Sequence, residues 1–357
     1  MDILELLQEL SEAPGVPGNE DEVRAIIRSR ITGLVDGMET DDMGNLYTWR
    51  APMRGPVVML SAHMDEIGMM VSHIDSSGFL RIAPLGGWDP RIMPGQEVRI
   101  VNGEGTTFFG VAGFPSPHFM KEKEKDSVMP VEDQFVDIGA RSADDVHGMG
   151  IRIGDQAVFN AGFRRLRNNI LMGKAFDDRV GCALQIAMLE QLTAYDLDVT
   201  LAVVFTCQEE VGLRGARIAG HRVDPAVALA VEGTAAGDFP GVEPHRIPVR
   251  MGNGPAFTVA DKSMLAHRGL RAFMERLAGE NAIPYQLKTP VFGGTDAGQI
   301  HLARGGVMAG VVAVPCRYIH TPRTVLDITD LKHALMFLTR FITSVGEWMR
   351  TAKQSAP

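Results

Sequence analysis

Val199-Thr200-Leu201-Ala202-Val203-Val204-Phe205, followed closely by Cys207-Gln208-Glu209-Glu210-Val211-Gly212, is the stretch on which the reading of this chain turns. The first part reads as a strand buried on both faces. Two adjacent carboxylates where such a strand ends are costly unless water or a cation receives them. Either the pair is a solvated turn, or one carboxylate holds a metal while the other moves protons beside it.

The totals narrow the setting. The chain has 357 residues, 45% of them hydrophobic and 22% charged, the profile of a soluble globular protein with one large or two ordinary domains. Its net charge of −9 argues against nucleic acid as a partner and suits sites that collect cations. Cys182, Cys207 and Cys316 stand in apolar surroundings and read as buried thiols of a reducing compartment. The first residues, Met1-Asp2-Ile3-Leu4-Glu5-Leu6-Leu7, are amphipathic and acidic, without the cationic start of a signal peptide. No apolar run reaches the ~18 residues of a membrane span. A cytoplasmic protein with no membrane partner is expected.

Outward from the central stretch, two textures alternate. Ile3, Leu6, Leu7 and Leu10 are spaced for a helix, and a second helix starts near Asn19 or Glu20. Residues 56–62 read as a buried strand that ends at His63-Met64-Asp65-Glu66. From about residue 70 to 163 short strands and glycine-rich turns replace this pattern, with no helix longer than two turns, as in a small β-barrel inserted into another domain. Within it, residues 121–126 form a charged run expected to be a solvated loop tip. Then helices and strands resume: a helix from near Asp178, strands at 199–205, 227–231 and 307–314, a helix over 263–278, and a closing helix from about Ile328 to Met349 with a frayed tail from Thr351.

Apolar strands lead to His63, Glu210, Glu232 and His320, and Asp177 stands just before a helix. Open α/β sheets bind ligands at the carboxyl ends of their strands, so these five residues can converge. Two histidines and three carboxylates suit zinc, cobalt or manganese better than calcium or magnesium. Two divalent cations bring four positive charges. Asp177, Glu210 and Glu232 cancel three, and one shared hydroxide cancels the last. Glu209 is left over beside the ligands, as the natural general base. Asp65, two residues after His63, is placed to hydrogen-bond the other imidazole nitrogen and fix its tautomer. Taken alone, Glu209-Glu210 is also a solvated turn and Asp177-Asp178 also a helix cap. Composition and spacing leave both readings open.

The segments His63-Met64-Asp65-Glu66-Ile67-Gly68, Gly173-Lys174-Ala175-Phe176-Asp177-Asp178-Arg179-Val180-Gly181, Gln208-Glu209-Glu210-Val211-Gly212, Gly293-Gly294-Thr295-Asp296-Ala297 and Arg317-Tyr318-Ile319-His320-Thr321 together resemble the M42 family of metalloaminopeptidases. The resemblance covers about residues 5–348. It implies an α/β fold: a zinc-peptidase-type mixed sheet flanked by helices, with an inserted β-barrel of PDZ-like type. Residues 1–69 and 164–357 would be the catalytic domain, and 70–163 the inserted oligomerisation domain. It further implies that His63, Asp177 and Glu232 hold one metal, and Asp177, Glu210 and His320 the other, with Asp177 bridging. Where many members carry aspartate this chain has Glu232, and Asp238 is a rival ligand. The implied reaction is attack of a metal-held hydroxide on an N-terminal peptide bond, with Glu209 as general base. The clan also implies a cis peptide bond after Asp177. Gly294, Thr295 and Asp296 would lie by the substrate. The stretch 291–298 lacks the Lys-Ser/Thr ending of a phosphate loop. Short peptides are the implied substrates, two zinc or cobalt ions (or manganese) the cofactors, and a dodecamer built from dimers the assembly.

A metal-dependent deacylase or carboxypeptidase on a related fold is the alternative, and would need a cationic pocket for a free carboxylate. A glycosidase would leave both histidines idle, and a scaffold protein would need no metal. The residue preferred at the substrate's N-terminus is not readable: an acidic pocket selects lysine or arginine, a basic one glutamate or aspartate, an apolar one leucine.

Overall fold

The computed structural model describes residues 2–50, 55–122, 127–289 and 291–354. Eleven strands among the described residues form one mixed sheet. Its centre runs Leu46–Arg50, Thr200–Thr206, Val57–His63, Val227–Ala235, Met308–Arg317, Thr324–Asp327. The four strands in the middle of this order are mutually parallel. Parallel strands need both faces covered, and these sequences are apolar on both faces for that reason. On Val57–His63, Val58, Leu60 and Ala62 enter one core with the helix Phe176–Leu192. Met59 faces the other way, into a core with Ala216, Ala219 and Ile300. Each fully buried valine, leucine, isoleucine or methionine among them contributes about 1.5–3 kcal/mol.

Six more strands, from Gly68–Ile74 to Gln156–Phe159, close into an antiparallel barrel with its own core of Met69, Val71, Leu80, Val98, Ile100 and Ala157. Closure leaves the barrel no free edge. The α-helix within it is short, Ala143–Gly148. Of the charged run at 121–126, Lys121 and Glu122 are exposed, and residues 123–126 lie outside the described part.

Several boundaries differ from the sequence reading. The strand at 227 continues through Glu232 to Ala235, because Met308–Arg317 pairs with it as far as Cys316. Glu232 therefore sits within a strand rather than at its end. The helix read over 263–278 starts at Arg268, where the His267 imidazole accepts the Leu270 amide hydrogen. The closing helix extends to Gln354, past the expected fraying point at Thr351. The helix Arg214–Val223, between the strands read at 199–205 and 227–231, was not among the elements read from the sequence.

A buried charged cluster ties the N-terminal segment to the sheet. The fully buried Arg179 guanidinium donates to the carbonyls of Leu10, Ala13 and Gly15. The Lys174 ammonium donates to Glu66 at 2.6 Å and to the Ala13 carbonyl at 3.1 Å. Burial lowers the Lys174 pKa to about 8, against the opposing field of Glu66. Pairing of this kind is what makes buried charge tolerable. No helix among the described residues is long and apolar enough to cross a membrane.

Candidate metal centre

Because the central strands are parallel, their carboxyl ends share one edge of the sheet. In the register of the sheet His63 lies opposite Thr206, so the strand that delivers the histidine and the one that leads into Glu209-Glu210 finish side by side. Asp177 comes from the break at the head of the helix Phe176–Leu192, where the Asp177–Asp178 peptide is cis, as the clan resemblance implied.

Two groups of donor atoms converge there: His63, Asp177 and Glu232, and Asp177, Glu210 and His320, each within 4.8 Å of one another. Asp177 belongs to both. His63 Nε2 stands 3.4 Å from Asp177 Oδ1 and 3.7 Å from Glu232 Oε2. His320 Nε2 stands 3.2 Å from Asp177 Oδ2 and 3.4 Å from Glu210 Oε1.

The tautomers follow from the other ring nitrogens. His63 Nδ1 lies 3.0 Å from the Asp65 carbonyl oxygen, and His320 Nδ1 lies 2.6 Å from the Gly87 carbonyl oxygen. A carbonyl only accepts, so each Nδ1 carries hydrogen and each neutral ring turns a bare Nε2 toward carboxylate oxygens. Acceptors then face acceptors, and Glu210 Oε1 is buried without a hydrogen-bond donor. A cation between them resolves the conflict. Nitrogen and carboxylate oxygen in this mixture fit zinc, cobalt or manganese.

The electrostatics point the same way. Burial pushes the carboxyls of Glu209 and Glu232 well above the usual range, and that of Glu210 up to about 7. Burial disfavours charge on His320 too, but its bond with Asp177 and the field of Glu210 outweigh this and raise it to about 10. His63 rises likewise against burial, through Glu209 and Asp177. Asp177 falls despite burial because both histidines bond it. A cluster of this kind binds positive charge, as protons or as metal.

Asp65 is beside His63, but its contact differs from the expected one. Its backbone carbonyl, not its carboxylate, takes the close bond with the imidazole, and the carboxylate stands 3.6 Å off. The two carboxylate oxygens instead accept the amide hydrogens of Glu209 and Glu210, at 3.0 Å each. Burial raises the Glu20 carboxyl to about 7, and this carboxyl accepts the Gln208 amide hydrogen just upstream. Gln208 and His320 have positive φ (56° and 57°), a cost of about 1 kcal/mol or more each that these surroundings sustain.

A cavity of about 470 Å³ opens onto the centre, lined by Asp177, Glu209, Glu210, Glu232, His320, Lys288, Phe292, Gly294 and Thr295 among others. Gly294 and Thr295 thus border it. Asp296 does not: it is fully buried, accepts from Thr206 Oγ1 at 2.6 Å, and turns its amide toward Glu232 Oε1. Asp238 is paired with Arg317, Nε to Oδ1 at 2.9 Å, and stands outside both donor groups.

Three neighbours stand outside the site residues named from the sequence. Asp178 accepts the His63 amide hydrogen from beneath the centre, Gly87 reaches His320 from the barrel, and Lys288 lines the cavity. An Asp-Asp pair is a visible signal for the first; nothing local marks the other two. Burial lowers the Lys288 ammonium pKa, with Asp261, Glu232 and Asp177 opposing.

The family model described as M42 glutamyl aminopeptidase matches residues 44–337. A protein of Acetivibrio thermocellus, provisionally named an aminopeptidase, is 38% identical over 96% of this chain and 98% of its own. The lysyl aminopeptidase of Pyrococcus furiosus is 33% identical over 93% of this chain and 94% of its own. Among solved structures, a TET aminopeptidase from the Thaumarchaeota archaeon SCGC AB-539-E09 superposes with a TM-score of 0.93 and 34% identity, covering 96% of each chain. The TET1 peptidase of Pyrococcus horikoshii, which can assemble into a tetrahedron or a large octahedral shell, superposes with a TM-score of 0.86 and 29% identity, over 96% of this chain and 99% of that one.

Proposed function

The chain belongs to the M42 glutamyl aminopeptidase family, and from that premise we propose that it is a dinuclear metal-dependent aminopeptidase acting on short peptides. One observation carries the reading: two donor groups share Asp177, and in both a histidine whose Nδ1 is held by a backbone carbonyl turns its Nε2 to carboxylates. His63, Asp177 and Glu232 would hold one cation, and Asp177, Glu210 and His320 the other, with zinc or cobalt favoured. When bound, such ions polarise a scissile carbonyl and make water more acidic.

The chain's own residues complete the scheme. Glu209 belongs to neither donor group, yet its Oε2 lies 3.9 Å from His63 Nε2, within the cavity. In the proposed role it takes a proton from the attacking water and returns it to the leaving amine. Asp65 grips the two amides of the Glu209-Glu210 turn and so sets where both side chains start. The carbonyls of Asp65 and Gly87 fix the two imidazoles. Gly294 and Thr295 border the space where substrate would lie.

Two further parts of the reading rest on the same premise. We take residues 1–69 and 164–357 as the catalytic domain and 70–163 as an inserted barrel domain. The TET neighbours support a homo-oligomer, with a dodecamer as the expected form. Light scattering on the purified protein tests this, and a stable monomer would refute it.

The activity test compares aminoacyl and N-acetyl-aminoacyl p-nitroanilides on metal-free enzyme given zinc, cobalt or manganese. Hydrolysis that needs both the metal and a free α-amine is expected. Release of acetate from the acetylated substrates, with no p-nitroaniline from either kind, would instead favour the deacylase.

A further inference from the structure

The barrel sends one loop to the metal centre, and that loop meets Glu210 and His320. It follows the strand Leu80–Leu85 and runs Gly86-Gly87-Trp88-Asp89. The barrel holds it in place. Trp88 Nε1 donates to the Gly68 carbonyl at 3.0 Å, and the Trp88 ring packs edge-on against Phe159 with centroids 5.6 Å apart. Just beyond, the buried Gln134 donates to the Pro90 carbonyl at 3.1 Å. His63 is secured differently: the Asp65 carbonyl two residues on takes its Nδ1, and Asp178 takes its amide hydrogen.

Gly86 has a φ of +79°, which glycine adopts freely and other residues do not. A Cβ added there would stand 2.9 Å from Ile67 Cγ2 and 3.2 Å from both Cβ and Oε2 of Glu210. The Glu210 carboxylate is therefore lodged between this loop, beside Oε2, and the His320 ring, 3.4 Å from Oε1. The Gly87 carbonyl oxygen in turn lies 2.6 Å from His320 Nδ1. That hold matters because the His320 side chain is 37% exposed, against 1% for His63, so burial leaves its ring far more room to turn. Resting on the dinuclear reading, we infer that Gly86, by its bare α-carbon, and Gly87, by its carbonyl, are positioning residues for one cation only: the group Asp177, Glu210 and His320 depends on the barrel loop, and the group His63, Asp177 and Glu232 does not. A side chain at position 86 would be relieved in one of two ways. Ile67 is packed in the barrel core, so either Glu210 yields into the cavity it borders, or the loop backs away and takes the Gly87 carbonyl off His320. Both open the same donor group.

The test titrates cobalt into the metal-free protein, followed by visible absorption, and counts ions per chain by elemental analysis after dialysis. The unaltered protein is expected to take two. Gly86→Ala should keep one at wild-type affinity and bind the other at least about tenfold more weakly, the scale on which neighbours of metal ligands act. Its one-cobalt spectrum should match that of His320→Ala rather than that of His63→Ala. Gly87→Ala is the control. It retains the carbonyl, and among the described residues no atom beyond its chain neighbours lies within 4 Å of an added Cβ, so both ions should stay. Should Gly86→Ala fail to fold, Trp88→Phe decides in its place: it removes the Gly68 hydrogen bond that anchors the loop and should weaken the same single ion. Two ions at unchanged affinity in the deciding variant, both ions lost together, a spectrum matching His63→Ala, or a Gly87→Ala that loses an ion as readily would each overturn the inference while the aminopeptidase reading stands. A wild type that takes up one ion or none refutes the dinuclear reading, and this inference falls with it.

Discussion

Replacing Glu209 by glutamine separates the two jobs assigned to adjacent carboxylates. No hydrogen bond is formed to the Glu209 carboxylate among the described residues, and its position is set through its amide, which donates to Asp65. An isosteric amide therefore breaks no hydrogen bond among the described residues, and the change in folding stability should stay within about 1 kcal/mol. Neither donor group contains Glu209, so both ions should remain bound. What is lost is the proton acceptor. General base catalysis is worth about 10²–10⁴ in rate, or about 3–5 kcal/mol of barrier, so kcat should fall by that factor with KM little changed. The assay pairs steady-state kinetics with metal content by elemental analysis on the same preparation. Glu210→Gln is the contrast: there metal content should fall along with activity, because the substitution weakens one donor group. Loss of metal from Glu209→Gln in step with its activity would refute the assignment and make Glu209 a ligand.

Chelation should abolish activity and lower Tm, with zinc, cobalt or manganese reversing both; an ion held at 100 times its Kd contributes about 2.7 kcal/mol to folding. An unchanged Tm and rate after verified metal removal would contradict the centre. Asp65→Ala strips two carboxylate acceptors from the Glu209 and Glu210 amides and should cost about 3–5 kcal/mol, read as Tm, together with at least about tenfold in kcat, whereas Asp65→Asn keeps one acceptor and recovers part. Burial raises the Asp330 carboxyl, which accepts the amide hydrogens of Gly252 and Gly254, from an ordinary 3.8 to about 6. Between those values the folded chain keeps a proton that the unfolded chain has lost. From this group alone stability therefore falls as pH rises from about 4 to 6, by up to about 3 kcal/mol, and is level above that. Denaturant titrations of metal-loaded wild type and Asp330→Asn check it: the difference between them should carry that slope, and parallel curves would count against it.

The fold was largely legible because its signals are local. Residues 199–205 and 57–62 are apolar on both faces, which is what a central parallel strand requires, and the change to short strands near residue 70 marked the barrel. Residues such as 37–40 and 286–288 were not recognised as strands, since their pairing depends on distant neighbours rather than on their own pattern. His63, Asp177, Glu209, Glu210 and His320 could be named in advance because each stands at the edge of a strand or helix. Glu232 was named as well, but the sequence ended its strand there, and only pairing with Met308–Arg317 carries that strand onward. Pairing likewise decided against Asp238, which is engaged by Arg317.

What the sequence by itself determined was the chemistry available: two imidazoles and four carboxylates, most of them just past a strand or at the start of a helix. Which atom does what was decided by the tertiary structure. Asp65 reaches His63 through its carbonyl and holds Glu209-Glu210 with its carboxylate, Gly87 crosses from the barrel to orient His320, and Lys288 arrives in the cavity from 78 residues past the Glu209-Glu210 pair. The physical reason is that residue type and local pattern fix which bonds a group can make, whereas the partner of a buried polar group is whatever long-range packing sets within about 3 Å of it.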